Sequence, residues 1–140
     1  YKKTLDKNQI PYDPTVVYTC ENVTFQEGLD FAKQIIEEHP DVDGVFGVTD
    51  LVAVGVLSYF NDHQVKVPQQ VAVIGFSNWF MSQVLTPKLS TIDQPSHEMG
   101  VASFNLLLEE MHAHKENIPF TPKTIILETS VIERDSSKKS

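Results

Sequence analysis

Two pairs of small polar residues, Thr49-Asp50 and Ser77-Asn78, each stand at the end of an apolar run of β character, Gly44–Val48 and Val71–Phe76. Hydroxyls, an amide and a carboxylate in such places suit hydrogen bonding to a small polar ligand. Asp50 has two compatible readings. As a helix N-cap it accepts backbone N–H bonds and steadies the helix by about 1 kcal/mol. As a site residue it faces a cleft. Ser77 and Asn78 are either turn formers or ligand contacts.

Other chemistry finds little support. There is no G-x-S-x-G elbow for a nucleophilic serine. Cys20 is the one cysteine, has no base near it in sequence, and reads as a packed, inert thiol. The five histidines are scattered; His112 and His114, two apart on a helix, point in different directions. No metal site, no cofactor and no enzyme is expected. Gly44 and Gly47 lie inside a strand and lack the Lys-Ser/Thr of a phosphate loop.

The elements that position the polar pairs follow from periodicity. Between the two apolar runs lies one helix-period segment with Val54, Leu57 and Ser58 on successive turns, Asp50 at its N-cap and Asn61-Asp62-His63 at its end. A strand–helix–strand unit of this kind builds a parallel sheet with a right-handed crossover. In open α/β sheets, ligands bind beyond the carboxyl ends of the strands. Both polar pairs therefore belong on the ligand edge.

Around this unit, residues 1–7 read as the last turns of a helix, and Val16–Thr19 as a short strand. Thr24 opens a second helix, with Glu27 at capping-box spacing. Val71–Phe76 is apolar at nearly every position, as a central strand covered on both faces would be. A long helix runs from Pro95 to His114 with the stripe Val101, Phe104, Leu108 and Met111. Thr124–Leu127 and Thr129–Ile132 read as strand, and residues 135–140 as a frayed polar tail. Trp79–Leu85 is too apolar for an exposed loop and reads either as core or as a subunit interface, where aromatics and Met are enriched.

A chain of 140 residues is one domain's worth. Its net charge of −8 argues against gripping nucleic acid, which needs a basic face. No apolar run approaches the length of a membrane span. A lone cysteine permits no internal disulfide, and a cytoplasmic location is the simplest expectation.

"GVTDLVAVGVL", "VKVPQQVAVIGFSN" and "LTPKLSTIDQPSHEMG" together resemble the C-terminal half of the effector-binding domain of LacI/GalR-type transcription regulators, which have the type I periplasmic-binding-protein fold. The resemblance implies an α/β fold: a parallel-sheet three-layer lobe lacking most of the N-terminal lobe. Residues 1–90 would form the C-terminal lobe, 91–122 the crossover and a helix of the other lobe, and 123–134 the strands returning.

The function implied is effector sensing and dimerisation in a regulator whose separate helix-turn-helix domain binds operator DNA. The effector would be a sugar or related metabolite, bound between the lobes. The alternative is the sugar-binding protein of an ABC-type uptake system, which shares the fold. The matching effector positions are Thr49, Asp50, Ser77 and Asn78, with Asn22 and Val23 in a loop that often supplies a further contact. Thr49-Asp50 fits the family's [NST]-D pair. Ser77 departs from the family's Asp, so a charge-assisted bond to ligand hydroxyls is lost. The homodimer surface implied comprises Val52, Val56 and Tyr59 with Trp79, Met81 and Leu85.

Overall fold

A computed structural model describes residues 1–139. α2 (Phe25–Glu38) opens on a capping box. Thr24 Oγ1 accepts the Glu27 N–H at 3.1 Å, and Glu27 Oε2 accepts the Thr24 N–H at 2.9 Å, so two otherwise unpaired donors are satisfied reciprocally. α2 packs on α3 (Asp50–Asp62) where Gly28 and Gly55 meet backbone to backbone. A Cβ on Gly55 would lie 2.3 Å from the Phe25 carbonyl oxygen, and one on Gly28 would lie 2.2 Å from that of Val52. Only a residue without a side chain allows that approach.

The sheet has the order β1-β2-β3-β4. β1 (Gly44–Phe46), β2 (Ala72–Phe76) and β3 (Ser90–Asp93) run parallel, and β4 (Ser130–Ile132) is antiparallel to β3. The core joins Ala53, Val56, Leu57 and Phe60 of α3 to Val71, Val73 and Leu89, with Ala32 of α2 behind. Each large aliphatic or aromatic side chain buried there stabilises the fold by about 1.5–3 kcal/mol.

β2 is less symmetric than its composition suggests. Val73 and Gly75 are buried toward α3, whereas Ala72, Ile74 and Phe76 are half-buried. Cover on that second face is thin: α1 (Lys2–Lys7) buries no residue. α4 (Ser96–Lys115) buries only Ala113 among the described residues. Its stripe Val101, Phe104, Leu108 and Met111 lies open to solvent. The Lys123 ammonium pairs with Glu109, tying the returning segment to α4.

Three expectations need correction. Val16–Thr19 is not a strand: Pro14–Val16 form a 3-10 turn, capped by Asp13, whose carboxylate accepts the Thr15 N–H. Residues 124–127 are not strand either; only Ser130–Ile132 pair with β3. Among the described residues the segment after β4 is no frayed tail; residue 140 lies outside them. Ser136 is fully buried; its N–H reaches Lys88 O, its carbonyl accepts the Val73 N–H at 2.8 Å, and its hydroxyl donates to Val73 O at 2.6 Å. The same hydroxyl accepts the Ser90 N–H at 2.8 Å, so Ser136 wedges between the starts of β2 and β3.

Among the described residues β1 pairs with β2 alone. Against β1 lies an apolar groove of about 400 Å³, lined among others by Val17, Tyr18, Phe31, Ile35 and Val56. Burial, and then the hydrogen bond to Glu38, push the Tyr18 hydroxyl up to about 12. Cys20 lines the same groove, and burial followed by the Glu27 charge raises its thiol above the ordinary value. A thiol held protonated is a poor nucleophile.

Candidate ligand-binding site

The parallel register sets Phe46 beside Ile74, so the segments following β1 and β2 leave the sheet at the same edge. Thr49 ends the first segment as the N-cap of α3, its Oγ1 accepting the Val52 N–H at 3.4 Å. Ser77 and Asn78 end the second, both in positive-φ backbone, at 111° and 49°. Val23, at φ 53°, comes in from the turn before α2. Positive φ is rare for a β-branched residue and persists only where the surroundings enforce it. Val23, Thr49, Leu51, Ser77 and Trp79 together line an open depression of about 200 Å³.

Asp50 does not stand in that depression. The N-cap is Thr49, and Asp50 is the first residue of α3, fully buried beneath the edge. One carboxylate oxygen accepts the Trp79 N–H at 2.7 Å, and the other accepts the Thr91 hydroxyl at 2.6 Å. Gly75 is required here, because a Cβ would lie 2.2 Å from Asp50 Oδ1. The carboxylate thus lies at the start of a helix, where negative charge is favoured, and fixes the backbone of the neighbouring loop.

Asn78 is likewise committed inside the fold. Its backbone N–H donates to Thr91 Oγ1 at 3.1 Å. Its side-chain nitrogen donates to Asp93 at 2.8 Å, and its side-chain oxygen accepts from Arg134 Nη2 at 2.8 Å. Arg134 Nη1 donates further to Ser82 Oγ and to the Leu89 carbonyl. The expectation that the Asp50 side chain reaches a ligand is corrected by its full burial, whereas Asn78, half-buried, has its side-chain oxygen and one N–H engaged within the protein. Among the described residues, no buried side-chain polar atom lacks a partner.

The sequence reading missed Arg134 and Thr91, although both hold the loop in place. Thr91 sits in a short β-branched run and reads as strand filler; Arg134 sits in a charged stretch and reads as solvated. Leu51 was also missed, and its exposure of 38% beside Asp50 gives no local signal. Asn22 is exposed and its backbone N–H donates to Glu27; it does not line the depression.

The surface expected for dimerisation divides. Val52 and Val56 are 4% and 2% exposed, because they occupy the α3 face that packs into the core. They are removed from that surface. Trp79 turns to the depression, with 41% of its area exposed. Tyr59, Met81 and Leu85 remain half-buried. Phe80 and Val84, which belong to the same apolar segment Trp79–Leu85, are 63% and 65% exposed beside them.

Residues 1–137 match the family model of a periplasmic binding protein-like domain. The chain is 32% identical over 139 residues to the HTH-type transcriptional regulator RegA of Clostridium acetobutylicum, covering 99% of this chain and 40% of that protein. It superposes with a TM-score of 0.87 on the transcriptional regulator CelR in complex with cellobiose, at 26% identity, covering 98% of this chain and 40% of that one. A LacI family regulator from Arthrobacter sp. FB24 in complex with lactose gives a TM-score of 0.80 at 26% identity, covering 98% of this chain and 48% of that one. The chain spans less than half the length of these relatives.

Proposed function

The chain belongs to the periplasmic-binding-protein-like domain family, and from that premise we propose that it is the effector-sensing lobe of a LacI-type transcription regulator. It senses and does not catalyse. The effector is a neutral small molecule of the sugar class, as the cellobiose and lactose of two structural relatives suggest. Operator DNA is contacted by another part of the full protein, which acts in the cytoplasm as a homodimer. The relatives named above are regulators, which favours this reading over a transport protein of the same fold.

The observation that carries the proposal is the depression at the shared carboxyl edge of β1 and β2. It lies where ligands bind in open α/β sheets. β3 and β4, immediately beside it, carry the chain out to α4 and back. α4 is then the element that belongs to a facing lobe, which accounts for its open apolar stripe. A half-site leaves a ligand wet on one side, so affinity for the chain alone is weak.

The test is a two-dimensional NMR titration of the chain with cellobiose, lactose and glucose at millimolar concentration. Amide shifts concentrated at Val23, Thr49, Ser77 and Trp79 support the reading. Shifts only at the opposite end of the sheet, or none with any sugar, overturn it.

A further inference from the structure

The indole of Trp79 is half open on a surface where the rest of the loop is fastened down. Its backbone N–H is held by Asp50 at 2.7 Å, and Phe80 meets its ring edge-on, with centroids 5.4 Å apart and planes at 79°. The ring is therefore fixed at its base and braced on one side, while 41% of the residue is exposed. A braced, exposed aromatic face is a platform: its π-surface carries partial negative charge and attracts the partly positive C–H groups of a ligand laid against it.

Around that face stand groups of one kind. Val23 and Leu51 are apolar; Thr49 and Ser77 bring neutral hydroxyls. Among the described residues the Ser77 side chain has no hydrogen-bond partner, whereas the nearby Asp50, Asn78 and Arg134 are each engaged with internal partners. No lining residue is charged. A phosphate or carboxylate would find no cation to pair with. A nucleobase edge would find little of the Asn78 amide to read, because its oxygen and one of its N–H groups are already bonded within the protein.

We propose that Trp79 is the specificity-determining residue of this depression: it stacks on the apolar face of an uncharged pyranose ring, while Ser77 bonds a hydroxyl at that ring's edge. This rests on the effector-sensing reading above and deepens it. It also reassigns Trp79 from a subunit surface to the ligand surface. Asp50 acts through Trp79, as the group that positions its backbone, and does not itself touch the ligand.

Trp79 is the chain's one tryptophan, so its emission reports this site alone. The experiment follows that emission, with acrylamide quenching, while glucose, cellobiose, glucose 6-phosphate and adenosine are each titrated to millimolar concentration. Saturation-transfer NMR on the same samples measures binding independently. Expected are a shift in emission, protection from acrylamide and saturation transfer strongest at the ring C–H protons, for glucose or cellobiose but not for the charged or nucleoside probes. Trp79→Leu lowers sugar affinity about tenfold, and Trp79→Phe keeps most of it; circular dichroism of both variants checks that the fold is intact. Sugar binding with unchanged emission, and equal affinity in Trp79→Leu, overturns the platform and leaves the effector reading standing. Tighter binding of glucose 6-phosphate or adenosine overturns the uncharged-pyranose assignment. Absence of sugar binding by both measures overturns the platform and the effector reading together.

Discussion

Arg134 donates to the side-chain oxygen of Asn78 at 2.8 Å, across 56 residues of sequence. The bond ties the segment just past β4 to the loop just past β2. Asn78 passes the link on to Asp93, the last residue of β3. The loop bordering the depression is therefore fastened to both strands that carry α4.

Arg134 makes three side-chain bonds, to Ser82, Leu89 and Asn78, and its removal orphans acceptors in a partly buried setting. Arg134→Met is expected to lower stability by about 2–3 kcal/mol. Arg134→Lys recovers less than half of that, because an ammonium cannot reproduce the planar fork. Urea unfolding measures both, and an unchanged midpoint for Arg134→Met would refute the role given to the network.

Gly55 faces the Phe25 carbonyl and Gly28 across the α2–α3 contact. Gly55→Ala forces the helices apart and is expected to destabilise the chain by about 3 kcal/mol, overriding the better helix propensity of alanine. Gly100, on α4 with nothing within 4 Å of a Cβ, is the control. There the same substitution is expected to stabilise by up to about 1 kcal/mol. Thermal melts of the two variants shifting in the same direction would contradict this packing account.

The Thr24 N–H, against a smaller opposing effect of desolvation and with help from Asn22 and Glu21, holds the Glu27 carboxyl below its ordinary value of 4.5. A depressed folded pKa means that stabilisation is present above the unfolded value and is lost as pH falls through the folded one. Glu27→Gln should therefore be less stable than the parent at about pH 6, and the gap should narrow toward about pH 3. Parallel denaturation curves with a constant gap at every pH would show that the charge is not involved.

Two apolar surfaces remain open: Phe80 and Val84 beside Tyr59, Met81 and Leu85, and the α4 stripe with Phe104 and Leu108. Contiguous exposed apolar patches usually mark contact sites. Sedimentation is expected to show a dimer or larger species at concentrations on the order of tens of micromolar. Phe80→Ser with Val84→Ser dissociates it if the first surface pairs, and Phe104→Ser with Leu108→Ser if the second does. A clean monomer for the parent chain rules out both.

Legibility of the sequence followed the range of the interactions. The capping box at Thr24 and Glu27 could be read directly, because both partners lie within one helical turn. The parallel unit was legible from two apolar runs flanking one helical period. Val16–Thr19 misled because β-branched composition favours a strand only where a neighbouring strand can pair with it. The local signals that prevailed were Pro14 and the Asp13 cap. Val52 and Val56 misled for a different reason: α3 is apolar over much of its circumference, so periodicity does not say which face turns inward. The site split similarly. Its backbone positions were legible from strand ends, but which side chains stay free was decided by Thr91 and Arg134, whose partners lie 41 and 56 residues away.

Ser136 sets a timetable for biosynthesis. It bonds Val73 and Ser90, 63 and 46 residues upstream, and fills the wedge between their strands. While the polypeptide is still emerging from the ribosome, β2 and β3 can pair, but the gap at their start stays hydrated. The lobe gains its full cooperativity only after residue 136 has cleared the exit tunnel. Until residue 136 is available, the seam between the starts of β2 and β3 stays open to water.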